Sequence, residues 1–193
     1  QSLKSAGIEH NSVLTLVLGQ CLWSEPWLGK RATLGEETDD GVVVKRSDGF
    51  CDAVIMGRRP ALHFRVRVVG TDWQWSGALE LGFTPTHPDH LEGPIPPEAR
   101  RLPEHLIMNC TGLLGVEGWG YALTVCPPCS WTEALAVGDV VSIALLHTGA
   151  RGEEAAELVV EVNGFVKVHA TLTGVIPELY PVVGLYGRTV AVE

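Results

Sequence analysis

Apolar and polar residues alternate with a period of two along much of this chain. Leu62, Phe64, Val66 and Val68 interleave with His63, Arg65, Arg67 and Val69, which predicts a strand with one wet face. Leu79, Leu81 and Phe83 repeat the pattern around Glu80 and Gly82. Within residues 158–172, two β-rich runs flank Asn163-Gly164, a pair that accepts positive φ at both centres of a tight hairpin turn. Further strands are predicted at residues 13–18, 41–45, 50–56, 120–125, 139–146, 179–185 and 188–192. Helical periodicity is nearly absent. Ser130-Trp131-Thr132-Glu133 has the form of a capping box, but Gly138 stops that helix after about two turns. Residues 97–102 have room for a single turn before Pro103. With 22 glycines and 12 prolines punctuating the chain, the expectation is all-β: a two-sheet antiparallel sandwich of roughly ten short strands. One domain is expected over residues 1–193, with no internal repeat.

Composition narrows what such a sandwich does. The 193 residues are 46% hydrophobic and 19% charged, enough to bury a sizeable core. Fourteen basic residues against 23 acidic ones give a net charge of −9, which argues against nucleic acid as a partner. No apolar run reaches the length of a transmembrane helix. The chain opens at Gln1 without a basic n-region and closes on strand-like Thr189-Val190-Ala191-Val192-Glu193. Both ends read as cuts, so a segment of a longer protein is expected. Five cysteines, an odd and scattered set, fit a reducing, cytoplasmic compartment. That pattern outweighs the short glycosylation sequon Asn109-Cys110-Thr111.

Several features carry candidate chemistry. Cys126-Pro127-Pro128-Cys129 has metal-ligand and redox spacing, but neither a second ligand pair nor a βαβ unit accompanies it. It is read as a turn with two ordinary thiols. His87-x-x-His90, beside Asp89 in a proline-rich loop, is a permissible half of a zinc site whose other ligands the sequence does not name. It is read as exposed loop histidines, with no cofactor expected. Glu80 and Glu161 are the carboxylates a glycosidase-type sandwich would use, but each sits singly on an alternating strand and is read as solvent-facing. The acidic run Gly35-Glu36-Glu37-Thr38-Asp39-Asp40 is read as a solvated loop. Upstream of it, the apolar stretch with Trp23 and Trp27 offers an edge strand or an extension crossing the sandwich. No catalytic constellation emerges, and the chain is expected not to be an enzyme.

Large loop side chains remain. In Thr71-Asp72-Trp73-Gln74-Trp75 one ring is expected to anchor the core and the other to face outward or toward a loop cluster. Arg58-Arg59 and Arg100-Arg101 are the adjacent arginine pairs of this acidic chain, each read as a solubilising surface feature or as a place where an acidic partner would dock.

The run Trp75-Ser76-Gly77-Ala78-Leu79-Glu80-Leu81-Gly82-Phe83-Thr84, with His87-Pro88 after it, resembles the Neuralized homology repeat, whose pattern is Trp-x-Gly-x-Leu-x-φ-Gly-φ-Thr, φ being apolar, and then Pro. Three further matches keep the family's order. They are Arg59-Pro60 after Val54-Ile55-Met56, the hairpin Val162-Asn163-Gly164, and the closing Leu179-Tyr180-Pro181-Val182-Val183-Gly184-Leu185-Tyr186-Gly187-Arg188-Thr189. Together they span residues 41–193, leaving residues 1–40 as divergent N-terminal strands or an extension. Family members usually carry Asp where this chain has Gly184, and the family's opening signature is not recognisable before residue 40.

The resemblance implies a SPRY-like β-sandwich and a non-catalytic module that holds a substrate or partner protein. It implies a parent protein of the ubiquitin-ligase adaptor or scaffold type, including scaffolds at centrioles. No RING cysteine pattern lies within the chain. Some family repeats bind phosphoinositides, which the net charge of −9 disfavours here. Different-class alternatives are a carbohydrate- or phosphoinositide-binding sandwich and a metal-dependent enzyme. In SPRY-like folds, loops at one edge form the binding surface. The partner-binding candidates are therefore Arg58, Arg59, Trp73, His87, His90, Arg100, Arg101 and Trp119, with Trp75 packing inside.

Overall fold

The computed structural model describes residues 27–38, 41–47, 53–71, 79–108, 114–117, 122–126, 135–147, 155–185 and 189–192. Among these the structure is all-β and antiparallel. The strands in chain order are β1 (Trp27–Leu28), β2 (Ala32–Thr38), β3 (Gly41–Arg46), β4 (Val54–Met56), β5 (His63–Thr71), β6 (Glu80–Thr84), β7 (His105–Met108), β8 (Leu114–Glu117), β9 (Ala122–Cys126), β10 (Val140–His147), β11 (Ala155–Val162), β12 (Phe165–Thr173), β13 (Tyr180–Gly184) and β14 (Thr189–Val192). They form a six-stranded sheet, β1-β4-β13-β6-β7-β8, and an eight-stranded sheet, β2-β3-β14-β5-β10-β11-β12-β9.

The eight-stranded sheet shows the alternation expected of it. On β5, Phe64, Val66 and Val68 are buried while His63 is exposed, and β10 and β11 keep the same rhythm. Its buried side chains meet those of the other sheet in one core, where Phe64 and Phe83 stack edge to face with centroids 5.4 Å apart. The Asn163-Gly164 turn takes φ values of 53° and 79°, as its sequence predicts. Asn163 then does more than turn the chain. Its Oδ1 accepts the Val140 N–H at 2.9 Å and its Nδ2 donates to Asp139 at 2.9 Å, tying the hairpin to the entry of β10.

The six-stranded sheet breaks the alternation. Strands β4, β6, β7 and β13 are buried at every position, because both of their faces are covered. One face meets the other sheet. On the other face Val54, Met56, Ile107 and Val182 lie beneath Ala99 and Leu102, with Trp27, Leu91 and Ile95 packed around them. The segment between β6 and β7, with its two short 3-10 turns at Pro88–His90 and Ala99–Arg101, therefore forms a cover over the sheet. Thr84 ties it down by donating to the Glu104 carbonyl at 2.6 Å, and the His105 ring bonds the Leu102 carbonyl at 2.8 Å. Gly82 makes room for β7: a Cβ there would collide with the Leu106 carbonyl. Arg46 clamps the two sheets, its Nη1 donating to the Leu185 carbonyl at 3.0 Å in a buried position.

Two expectations are corrected here. The acidic run is not a loop throughout, since Gly35, Glu36, Glu37 and Thr38 belong to β2, paired with β3. Pairing to a neighbouring strand outweighs the weak β-propensity of Glu. Glu80 does not face solvent but is fully buried under the cover. Trp27 supplies a two-residue edge strand on β4, one of the two roles expected of its stretch. Strands β7 and β8 are not among the elements that the sequence predicts. The strand expected at 13–18, Trp75 and Cys129 lie outside the described residues, and of the two-turn helix expected between Ser130 and Gly138 the described part, residues 135–138, is a turn closed by the Asp139 N–H on the Ala136 carbonyl.

Candidate partner-binding surface

The candidate side chains sort into two groups at opposite ends of the covered face. The first gathers where β4 runs out past Met56 and β13 begins at Tyr180. The Gly57 N–H donates to the Pro181 carbonyl at 2.9 Å, which brings Arg58 out beside the first 3-10 turn of the cover. Arg58, with 44% of its side chain exposed, lies 3.9 Å from Asp89 and 5.7 Å from the centre of the Trp27 ring. An ion pair this long and exposed contributes well under ~1 kcal/mol, and the cation–π contact adds a similar amount. Both set the direction of the guanidinium more than they stabilise the fold.

His87 opens that 3-10 turn. Its Nδ1 accepts the Asp89 N–H at 3.1 Å, so the ring caps its own turn. The ring stands edge-on to Tyr180, centroids 4.9 Å apart, and 5.3 Å from the His90 ring. His87 is thus half-buried and structural on one side, whereas His90 is exposed. Tyr180 donates to Glu178 at 3.0 Å, and its burial pushes the phenol pKa up, helped by that carboxylate. The two histidines come together, but among the described residues no third ligand joins them to complete a metal site.

The second group lies where β6 begins. Glu80 pairs with Gly184 across the β6–β13 ladder, and its Oε2 accepts the Ala99 N–H at 2.6 Å. Burial, the dominant effect, raises its pKa to about 7 against the opposing pull of the Ala99 hydrogen bond and Arg100. Glu98, buried just before, holds both arginines of the pair: Arg100 at 2.6 Å and Arg101 at 3.1 Å. Glu80 and Thr84, which anchor the two groups, are four residues apart on β6, about 13 Å at ~3.3 Å per residue. The structure therefore joins Arg58 to His87 and His90, and holds Arg100 with Arg101 separately. Arg59 is exposed beside Arg58. Trp73 and Trp119 lie outside the described residues, and Cys126 ends β9.

Neither Tyr180 nor Glu80 is among the partner-binding residues that the sequence predicts, Glu80 being weighed there only as a catalytic carboxylate. The sequence carried a signal for Glu80, because it stands between Leu79 and Leu81 in a strand whose other polar-face positions are Gly82 and Thr84, none of them charged.

This architecture defines a SPRY-like β-sandwich. A crystal structure of a human SPRY domain matches with a TM-score of 0.56 at 15% identity, over 85% of this chain and 94% of that one. The crystal structure of the NHR1 domain of Drosophila melanogaster Neuralized matches with a TM-score of 0.53 at 20% identity, over 87% and 96%. The solution structure of the NHR domain in Neuralized from Drosophila melanogaster gives 0.54 at 20% identity, over 86% of each chain. The Neuralized family model matches residues 27–193, and the chain belongs to that family. By class it is a protein-interaction domain.

Proposed function

We propose that this domain is the non-catalytic recognition module of a Neuralized-type ubiquitin-ligase adaptor or scaffold, holding a substrate or partner protein in the cytoplasm. The observation that carries the reading is the tie between two separate loops. Arg58, from the β4–β5 connection, meets Asp89 in the cover and Trp27 on the edge strand. Large, partly exposed side chains are thus presented together on a rigid sheet, the arrangement that recognition loops need. Arg59, His87 and His90 extend that surface, Arg100 and Arg101 form its second part, and Trp73 and Trp119 are further candidates. Charge on these arginines would select the partner more than hold it, with a salt-dependent association rate.

The test is a charge reversal in the parent protein. Arg58→Glu combined with Arg59→Glu should leave thermal unfolding within a few degrees of wild type. It should also remove the proteins that wild type crosslinks specifically at neutral pH. A double variant that folds and retains every crosslinked partner would refute the surface. Partners lost only together with the fold would refute its separation from the core.

A further inference from the structure

One buried carboxylate is left short of partners. Glu80 is 0% exposed; its Oε2 takes the Ala99 N–H, but Oε1, among the described residues, has no hydrogen-bond partner. Arg100 Nε stands 3.8 Å from that oxygen, beyond hydrogen-bond reach. The same Nε donates to Glu98 at 2.6 Å. A single guanidinium thus sits between two carboxylates, held by one and roughly 1 Å out of reach of the other.

We propose that Glu80 is a proton-operated latch on the turn Ala99–Arg101. When Glu80 is ionised, its Oε1 draws Arg100 off Glu98 and in toward the sheet. When Glu80 is protonated, Arg100 stays on Glu98 with its outer face in solvent. The contact of Arg100 with Glu98 at 2.6 Å is the position this latch assigns to protonated Glu80.

Three features make the device specific to this site. A buried carboxylate that cannot satisfy both oxygens resists ionisation, and burial here brings its pKa to about 7, where cellular pH changes have effect. The carboxyl has its place because Gly184 opposite carries no side chain. Among the described residues the groups able to compete are few. The turn presents Glu98 and Arg100, the latter through its guanidinium and through a backbone hydrogen bond that also favours the ionised carboxylate, with Arg101 held by Glu98. Strand β13 presents Gly184, β4 presents Val54, and β7 presents Ile107. Toward the far end of β7, the His105 ring is already bonded to the Leu102 carbonyl. The consequence is a pH-dependent exposure of Arg100 at the second part of the surface, and it holds whether or not that surface binds a partner.

Nuclear magnetic resonance of the whole chain between pH 5 and 9 tests this directly. The Glu80 side-chain carboxyl carbon should titrate with a midpoint near 7, and the Ala99 amide and Arg100 Nε should follow with the same midpoint. Glu80→Gln keeps an oxygen for the Ala99 N–H and should abolish both following titrations. His105→Asn should leave them in place. A Glu80 carboxyl that titrates near 4.5 overturns the latch. So does an Arg100 Nε that stays flat while Glu80 titrates. An Ala99 response that survives Glu80→Gln, or disappears in His105→Asn, assigns the proton to the histidine and overturns it equally.

Discussion

A Cβ built on Gly184 would lie 2.9 Å from Oε2 of Glu80 and 3.1 Å from its Cβ. The two residues face each other in the β6–β13 ladder, and the buried carboxyl occupies the volume that any larger residue at 184 would claim. Gly184 is therefore the complement of Glu80, and the family's usual Asp at that position would set a second carboxylate against the first.

Gly184→Ala should destabilise the domain by about 1–3 kcal/mol, the usual range for overpacking a filled site. Urea unfolding would measure it. Because the clash is with Glu80 itself, Gly184→Ala should cost much less in a Glu80→Ala background. A double-mutant cycle with no coupling would show that the strain lies elsewhere.

Stability should fall as pH rises through neutrality. The folded-state pKa of Glu80, about 7, lies above its ordinary value of 4.5, so the folded protein binds this proton more tightly than the unfolded chain does. The contribution is fully present below pH 4.5 and is lost as pH passes about 7. Its size is up to about 3 kcal/mol at ~1.4 kcal/mol per pH unit. Denaturation at pH 5 and pH 8 should show the difference, and Glu80→Gln should remove this part of it.

Asn163→Asp should cost about 1–3 kcal/mol, since it replaces the Nδ2 donor to Asp139 with a second carboxylate. Gly164→Val acts differently, forcing a β-branched residue to a φ of 79°. Both should lower the melting temperature. Only Asn163→Asp should recover when Asp139 is changed to Asn.

Phe83→Ala should be the most damaging core substitution, at about 3–5 kcal/mol, because Phe83 is completely buried and joins the two sheets through Phe64. By contrast Arg58→Ala should change stability by less than ~1 kcal/mol, since its contacts to Asp89 and Trp27 are long and partly exposed. Calorimetry on the two variants separates core from surface.

The sequence by itself determined the middle of the eight-stranded sheet, but not its edge strand β2. Each of β5, β10 and β11 buries one face and wets the other, so a period-two pattern records its position completely. Asn163-Gly164 specified its hairpin for an equally local reason, since few other residues accept two positive φ values in succession. The motif around residues 75–84 identified the family without help from the coordinates.

Tertiary structure decided the other sheet and the surface above it. Strands β4, β6, β7 and β13 are buried on both faces, and a doubly buried strand has no alternation to read. The cover that buries the second face is proline-rich and reads as an ordinary loop. Nothing local says that it lies over Val54, Met56 and Val182. That is why Glu80 reads as a solvent-facing residue although it is buried, and why the basic pairs read as one surface although they divide between two ends of a strand. Burial of a charge and proximity across loops depend on residues far apart in the chain, and only the packing of the two sheets and their cover brings those together.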